Sequence, residues 1–200
     1  MSKLPADFYQ REDVLLISRE LLGKVLCTNF HGKLTSGIIV ETEAYAGVTD
    51  KASHAYGGRR TKRTETMYAK GGSAYVYLCY GIHHLFNIVT NKENIPHAVL
   101  IRAIQPRDGI EIMLQRRNKK NVDQSLTSGP GSLTRALGIT VKDSGTFLIN
   151  NLIWLEDQNI QIKNQNILAT PRVGVQYAGK DAQNPWRFQV ENSPWVSPAS

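Results

Sequence analysis

Apolar and polar residues alternate along several segments of this chain, which predicts a sheet as its main element. Two strands are expected within residues 25–45, joined around Asn29 to Gly32. Period-two runs return in SAYVYLCYG, HLFNIVT and AVLIRAI, and short polar or glycine-containing turns separate them. Because short turns join neighbouring strands, the pattern favours an antiparallel meander.

Helical spacing of apolar residues replaces this alternation in three places. Asp13 precedes VLLISRELL, where it is placed to cap a helix that Gly23 would stop. Asp108 is expected to begin a second helix, with Glu111 three residues later as in a capping box. A third, shorter helix is expected from Ser132, after the SGPGS turn.

Two segments show no regular period. Residues 46–72 contain several glycines and basic residues and read as a long surface loop, of the kind that is commonly functional. The chain from Thr170 onward is expected to be irregular, and residues 156–168 are assigned no role. No repeat or composition shift marks a second domain, so we predict a single mixed α/β (α+β) domain over residues 1–200, with helices around an antiparallel sheet.

The charge and the cysteine content narrow the classes of function to be expected. Lys and Arg number 24 against 17 Asp and Glu, and this net charge of +7 favours a polyanionic partner. The two cysteines have no CxxC spacing, so neither a disulfide framework nor a cysteine-rich zinc site is expected. We find no signal peptide and no apolar run long enough to cross a membrane, and therefore expect a cytoplasmic protein.

The stretch IIVETEAY places two acids and a phenol at alternate positions of one predicted strand. Glu41, Glu43 and Tyr45 would therefore share a face, next to the long loop. Arg102 lies in the middle of an apolar strand, where a buried arginine needs an acidic partner. Either glutamate would suit, and a carboxylate held there could deprotonate a water molecule. Spacing alone does not choose between the two acids.

Aromatic and basic residues surround the same loop. Flat aromatic faces can hold a base taken out of its stack, although strand tyrosines can also simply pack a core. Basic side chains between them could neutralise phosphates, or form only a solvated face. The aromatic candidates are Tyr45, Tyr75, Tyr77 and Tyr80, and the basic ones are Arg59, Arg60, Lys62 and Arg63.

Several segments together resemble one known family. IVETEAY, a histidine with GGR, YVYLCYG, LIRAIQP, SGPG, PRVGV, PWRF and SPWVS occur in an order similar to that of the alkyladenine (3-methyladenine) DNA glycosylases, over nearly the whole chain. The resemblance implies a monofunctional enzyme that flips damaged purines out of duplex DNA and hydrolyses their N-glycosidic bond without a metal or other cofactor. It also implies a fold similar to the C-terminal domain of formyltransferases. The absence of a long N-terminal extension resembles bacterial members, for which nucleoid association would be expected.

The resemblance also implies a role for each matched residue. Glu43 matches the general base, and Arg102 matches the arginine that helps to position its water. Tyr45 matches the stacking partner on one face of the flipped base, with His54 and Tyr77 on the other face. Two further matches complete the site: Tyr80 corresponds to the residue that fills the space left by the base, and Asn87 to the side chain that screens purines.

Two other hypotheses remain at this point. A metal-dependent nuclease could use Glu41, Glu43 and His54 as ligands, and would cut the DNA backbone. A non-catalytic module could stack single-stranded bases on its tyrosines. The glycosylase hypothesis predicts a monomer that acts on duplex DNA containing damaged purines. The order of preference among 3-methyladenine, 7-methylguanine, hypoxanthine and ethenoadenine is left open by the sequence.

Overall fold

The alternating segments form one antiparallel sheet in the computed structural model, which describes residues 2–198. Seven strands lie in the order β1-β7-β2-β3-β6-β5-β4, while β9 pairs with both β3 and β8. The strands are β1 (Ser2–Lys3), β2 (Val25–Phe30), β3 (Lys33–Tyr45), β4 (Ala74–Cys79), β5 (His83–Thr90), β6 (His97–Asp108), β7 (Ile153–Asp157), β8 (Ile167–Thr170) and β9 (Arg187–Val190). The predicted single-domain α+β class and the meander of β4, β5 and β6 are confirmed. The similarity to the formyltransferase C-terminal domain stays a prediction.

Four short α-helices accompany the sheet, and all of them contribute to the main core on one of its faces. They are α1 (Ala6–Tyr9), α2 (Val14–Glu20), α3 (Ile110–Arg117) and α4 (Pro130–Leu137). Asp13 caps α2 as predicted, because its side chain accepts hydrogen bonds from the backbone N–H groups of Leu15 and Leu16, both 2.9 Å. Ile17 of α2, Met113 of α3 and Leu133 of α4 are fully buried in this core. Each such side chain contributes about 1.5–3 kcal/mol by its removal from water.

The predicted start of the second helix is wrong. Strand β6 continues through Asp108, whose carboxylate accepts a hydrogen bond from Ser36 on the neighbouring strand at 2.5 Å. The helix begins two residues later, after Gly109 at a φ of 68°. A Cβ atom at Gly109 would lie 2.1 Å from the carbonyl oxygen of Leu34, so only glycine fits the turn. The third helix begins at Pro130, two residues before the predicted Ser132.

The segment after Thr170 is more regular than predicted. Residues 187–190 form β9, which pairs with β3 at Glu41↔Gln189, Thr42↔Phe188 and Glu43↔Arg187. The alternation over four residues was too short to stand out from the surrounding loop, and its pairing partner lies far away in the sequence. This strand matters because it brings Arg187 beside the two glutamates.

The face of the sheet opposite the main core carries the candidate site. Residues 46–72 cover it, and they contain three short 3-10 turns but no strand or α-helix. Strand alternation decides which side chains point there. On β3, Thr42 donates a hydrogen bond to the backbone of α2 and Ala44 joins the main core, so Glu41, Glu43 and Tyr45 face the loop.

Candidate active site

Arg102 connects the two glutamates. It lies on β6 next to β3, and its Nε donates to Glu41 Oε1 at 2.7 Å while its Nη1 lies 3.3 Å from Glu43 Oε1. Burial opposes the charge of the guanidinium, but the two carboxylates outweigh it and raise the pKa of Arg102. The prediction of an acidic partner for this arginine is therefore confirmed, and both candidates are partners.

Glu41 is enclosed by donors. Besides Arg102, it accepts hydrogen bonds from Arg187 Nε at 2.7 Å, and from the backbone N–H and hydroxyl of Ser197 at 2.7 and 2.9 Å. Its side chain is fully buried. Three of these four donors meet Oε1 and one meets Oε2, and the carboxylate does not line the pocket, so Glu41 is a structural ion-pair centre.

Glu43 lies at the inner end of the site, next to the hydroxyl end of the Tyr45 side chain. The Tyr45 hydroxyl donates to its Oε2 at 2.7 Å, and the backbone N–H of Val173 donates to its Oε1 at 2.7 Å. Burial, and then the neighbouring Glu43 carboxylate, raise the pKa of Tyr45 well above its ordinary value. The phenol therefore stays protonated and orients the carboxylate.

Arg172 is a supporting residue that the sequence reasoning did not single out. Its guanidinium forms a bidentate ion pair with Asp50, at 2.5 and 2.9 Å, and donates to the carbonyl oxygen of Ala44 at 2.8 Å. It also lies 4.8 Å from the ring centroid of Tyr45 and 5.0 Å from that of Trp186. Because Val173 follows it directly, Arg172 fixes both the ring and the backbone N–H that contact Glu43.

Three aromatic side chains, His54, Tyr75 and Tyr77, pack together and form what we call the aromatic wall. His54 Nδ1 lies 2.9 Å from the hydroxyl of Tyr75, and the His54 ring centroid lies 4.6 Å from that of Tyr77. Burial, with smaller contributions from the positive charges of Arg63 and Arg59, lowers the pKa of His54 from 6.5 to about 4. The histidine is therefore neutral at pH 7.

The two tyrosines of the wall stay protonated as well. Their ring centroids are 5.5 Å apart, with the planes tilted by 32°. Burial raises the pKa of Tyr75 to about 12, against an opposing effect of Arg63, and it raises the pKa of Tyr77 further. The wall thus offers uncharged aromatic surface to a bound group.

Asn87 adds a polar group to this wall. It lies on β5 opposite Tyr75, is only 4% exposed, and its Nδ2 donates to the carbonyl oxygens of Tyr75 and Leu85 at 3.1 and 3.4 Å. These bonds fix the side chain, and among the described residues they leave its Oδ1 without a hydrogen-bond partner.

Tyr80 occupies the tip of the β4–β5 hairpin. It has a φ of 50° and is 91% exposed, so the turn holds its ring in solvent. Ile82, at the same tip, is 71% exposed and was not anticipated from the sequence. An apolar tip of this kind beside a pocket is suited to insertion between stacked bases.

The four basic loop residues do not form one group. All four are exposed, but Arg60 pairs with Glu65 at 2.7 Å and stacks over Tyr68, whereas Arg59 and Lys62 have no ion-pair partner among the described residues. Arg63 turns towards the site, where its guanidinium lies 5.1 Å from the ring centroid of Tyr77. The expected contact with phosphates stays a prediction for all four.

These groups surround a pocket of about 610 Å³. Its lining includes Tyr45, residues 173–175 of the PRVGV loop, the aromatic wall, and residues 129–132 at the N-terminal end of α4. The volume lies in the range of small-molecule sites, and the aromatic lining suits a flat ring such as a nucleobase. Glu43 does not itself line the pocket; it lies just behind Tyr45 and Arg102, which do.

The described residues also bear on the hypothesis of a metal-dependent nuclease. Within residues 2–198, no group of three or more His, Cys, Asp or Glu side chains is arranged to hold a metal ion. Glu41 and His54, which the nuclease hypothesis names as metal ligands, make the hydrogen bonds described above.

None of the helices within residues 2–198 has the length and apolar character needed to cross a membrane.

Comparison with known proteins agrees with this geometry. Residues 7–194 match the family model described as methylpurine-DNA glycosylase (MPG). The chain belongs to this family. It is 48% identical to a protein of Chlamydia felis over 92% of this chain and 94% of the relative, and 45% identical to one of Desulfitobacterium hafniense over 98% and 99%. A Bacillus cereus protein is 47% identical over 96% of this chain and 98% of its own length. All three are named "Putative 3-methyladenine DNA glycosylase".

In this member of the methylpurine-DNA glycosylase family, six of the predicted site residues lie around one pocket. Glu43, Arg102, Tyr45, His54, Tyr77 and Asn87 line it or lie directly behind it. Arg172, Val173, Arg187 and Ser197 support them from the C-terminal part of the chain. These supporting residues lie in the segments PRVGV, PWRF and SPWVS, and these three segments are the sequence signal that points to them.

Proposed function

We propose that this protein is a monofunctional DNA glycosylase that removes alkylated or deaminated purines from duplex DNA. The flipped nucleotide would enter the pocket with its base between Tyr45 and the pair His54 and Tyr77. Tyr80 would fill the space left in the duplex. One chain carries all of these groups, so the proposal needs only a monomer.

The observation that carries this proposal is the position of Glu43 relative to the base site. Its carboxylate lies behind Tyr45, at 2.7 Å from the phenol hydroxyl, and Arg102 lines the pocket beside it. A base held against Tyr45 would have its sugar near this inner end. Glu43 would then be placed to take a proton from a water molecule on the sugar side.

The reaction needs only proton transfer and bond exchange at C1′. The N-glycosidic bond breaks with its electron pair going to the base, the water oxygen bonds to C1′, and Glu43 accepts the proton of that water. An alkylated base that carries a positive charge leaves as a neutral molecule, which makes it a good leaving group. Selection of damaged purines would come partly from this chemistry and partly from Asn87, whose Oδ1 can accept or repel groups on the purine edge.

Hydrolysis is favoured over a lyase route. A lyase needs an amine nucleophile, and no lysine is among the described residues that line the pocket. The leaving product would therefore be a free base and an abasic site, with the DNA backbone intact.

Release of free base from a lesion-bearing duplex tests the proposal. The protein is incubated with duplex DNA containing 7-methylguanine or hypoxanthine, with and without EDTA, and with the matching single strand. We expect free base, an abasic strand cut only by added alkali, and the same rate in EDTA. Backbone cleavage that disappears in EDTA would indicate the nuclease, and binding without base release would indicate the non-catalytic module.

A further inference from the structure

Arg63 differs from the other basic residues of the loop in what surrounds it. Its guanidinium lies 5.1 Å from the ring centroid of Tyr77, and its side chain lines the base pocket. No carboxylate among the described residues lies within ion-pair distance of it, whereas Arg60 has Glu65 at 2.7 Å. Arg63 therefore brings an unpaired cation to the aromatic wall.

The charges of the inner network behind the pocket balance one another. Three carboxylates and three guanidinium groups form the inner network, namely Glu41, Glu43 and Asp50 with Arg102, Arg172 and Arg187. His54 is neutral at pH 7 because burial lowers its pKa to about 4. Arg59 is close enough to lower the pKa of His54 and also has no carboxylate within ion-pair distance among the described residues, but it does not line the pocket. Arg63 is therefore the unbalanced positive charge that reaches the base site.

We propose that Arg63 is a specificity-determining residue, which lowers the preference of the pocket for cationic lesions relative to neutral ones. Two effects act in the same direction. The guanidinium occupies aromatic surface of Tyr77 that a cationic base would otherwise use. It also repels the positive charge of a base such as 7-methylguanine, whereas hypoxanthine carries no charge. This inference rests on the proposed function.

The size of the effect follows from Coulomb's law. For two charges about 7 Å apart, effective dielectric constants from about 80 down to 20 correspond to a change in preference of roughly 3-fold to 50-fold. Arg63 is exposed to solvent, which places the expectation in the lower part of this range.

A charge series at this position tests the inference. Arg63→Lys, Arg63→Gln and Arg63→Glu are compared with the wild type in single-turnover release of 7-methylguanine and of hypoxanthine from the same duplex sequence. Duplex binding is measured alongside, so that a lesion released too slowly to time is still compared by its affinity. Arg60→Gln is the matched control, since it removes a neighbouring charge that is already paired with Glu65.

We expect the preference for 7-methylguanine over hypoxanthine to rise by about threefold or more in Arg63→Gln and further in Arg63→Glu. Arg63→Lys should keep a ratio near that of the wild type, and Arg60→Gln should leave it unchanged. An equal loss for both lesions, or an unchanged ratio across the series, would overturn the inference and leave Arg63 as a phosphate contact. Absence of any base release by the wild type would instead overturn the proposed function.

Discussion

Removal of the Glu41 charge should destabilise the fold more than removal of any exposed acid. Glu41 is fully buried and accepts hydrogen bonds from Arg102, Arg187 and Ser197. Glu41→Gln keeps the shape of the side chain but not its charge. Arg102, which is 6% exposed, would then keep only Glu43 as an ion-pair partner, and Arg187, which is 4% exposed, would have none among the described residues.

The magnitude follows from counting charges in this cluster. Two arginines and two glutamates sum to zero, so Glu41→Gln leaves one buried positive charge in excess. Breaking a buried ion pair in this way costs about 3–5 kcal/mol of the free energy of unfolding. At about 2–4 °C per kcal/mol for a chain of this size, the melting temperature should fall by roughly 6–20 °C. Arg187→Gln leaves a negative excess and should also destabilise.

A double-mutant cycle separates this electrostatic account from simple loss of packing. The double variant Glu41→Gln/Arg187→Gln restores a neutral cluster, so its loss of stability should be smaller than the sum of the two single losses, by about 0.5–3 kcal/mol. Urea unfolding followed by circular dichroism at pH 7 measures all four proteins. Strictly additive effects, or a Glu41→Gln protein within about 1 kcal/mol of the wild type, would refute the reasoning.

Three further predictions follow from the site. Tyr80→Ala should weaken capture of the flipped nucleotide without changing stability, since the ring is 91% exposed, and single-turnover base release should show this against a Tyr80→Phe control. Arg59→Gln and Lys62→Gln should each lower the slope of log affinity against log salt by about one, for all duplex sequences; an unchanged slope would count against phosphate contact. The free energy of unfolding should fall as the pH is lowered from 6.5 towards 4, because His54 binds a proton in the unfolded chain but, with a pKa of about 4, stays neutral in the folded protein. His54→Gln should flatten this part of the curve of unfolding free energy against pH.

Much of the sheet could be predicted because its strands alternate over six residues or more and are joined by short turns. The predicted start of the second helix is wrong because a local pattern points to a helix where pairing with a distant strand decides the structure. Asp108 and Glu111 satisfy the spacing of a capping box, yet the long pairing of β6 with β3 holds Asp108 in the strand. Only a glycine can make the turn that follows, and that requirement comes from Leu34, distant in sequence.

The candidate site, too, could be predicted from local patterns only in part. Period-two spacing placed Glu41, Glu43 and Tyr45 on one face, and the apolar context of Arg102 predicted its acidic partner. Spacing could not separate the two acids, because their difference lies in contacts from the C-terminal segment: Arg187 and Ser197 enclose Glu41, whereas Val173 contacts Glu43. These contacts join residues more than 100 positions apart, which no local pattern reports.

The assignment of Glu43 as general base is the central claim, and single-turnover release of 7-methylguanine tests it most directly. Glu43→Gln is compared with the wild type and with Glu12→Gln, which alters an exposed acid. We predict that Glu43→Gln lowers the release rate by about 100-fold or more while duplex binding is kept, and that Glu12→Gln behaves as the wild type. A Glu43→Gln protein that releases the base at the wild-type rate would contradict the account and remove Glu43 from the chemistry.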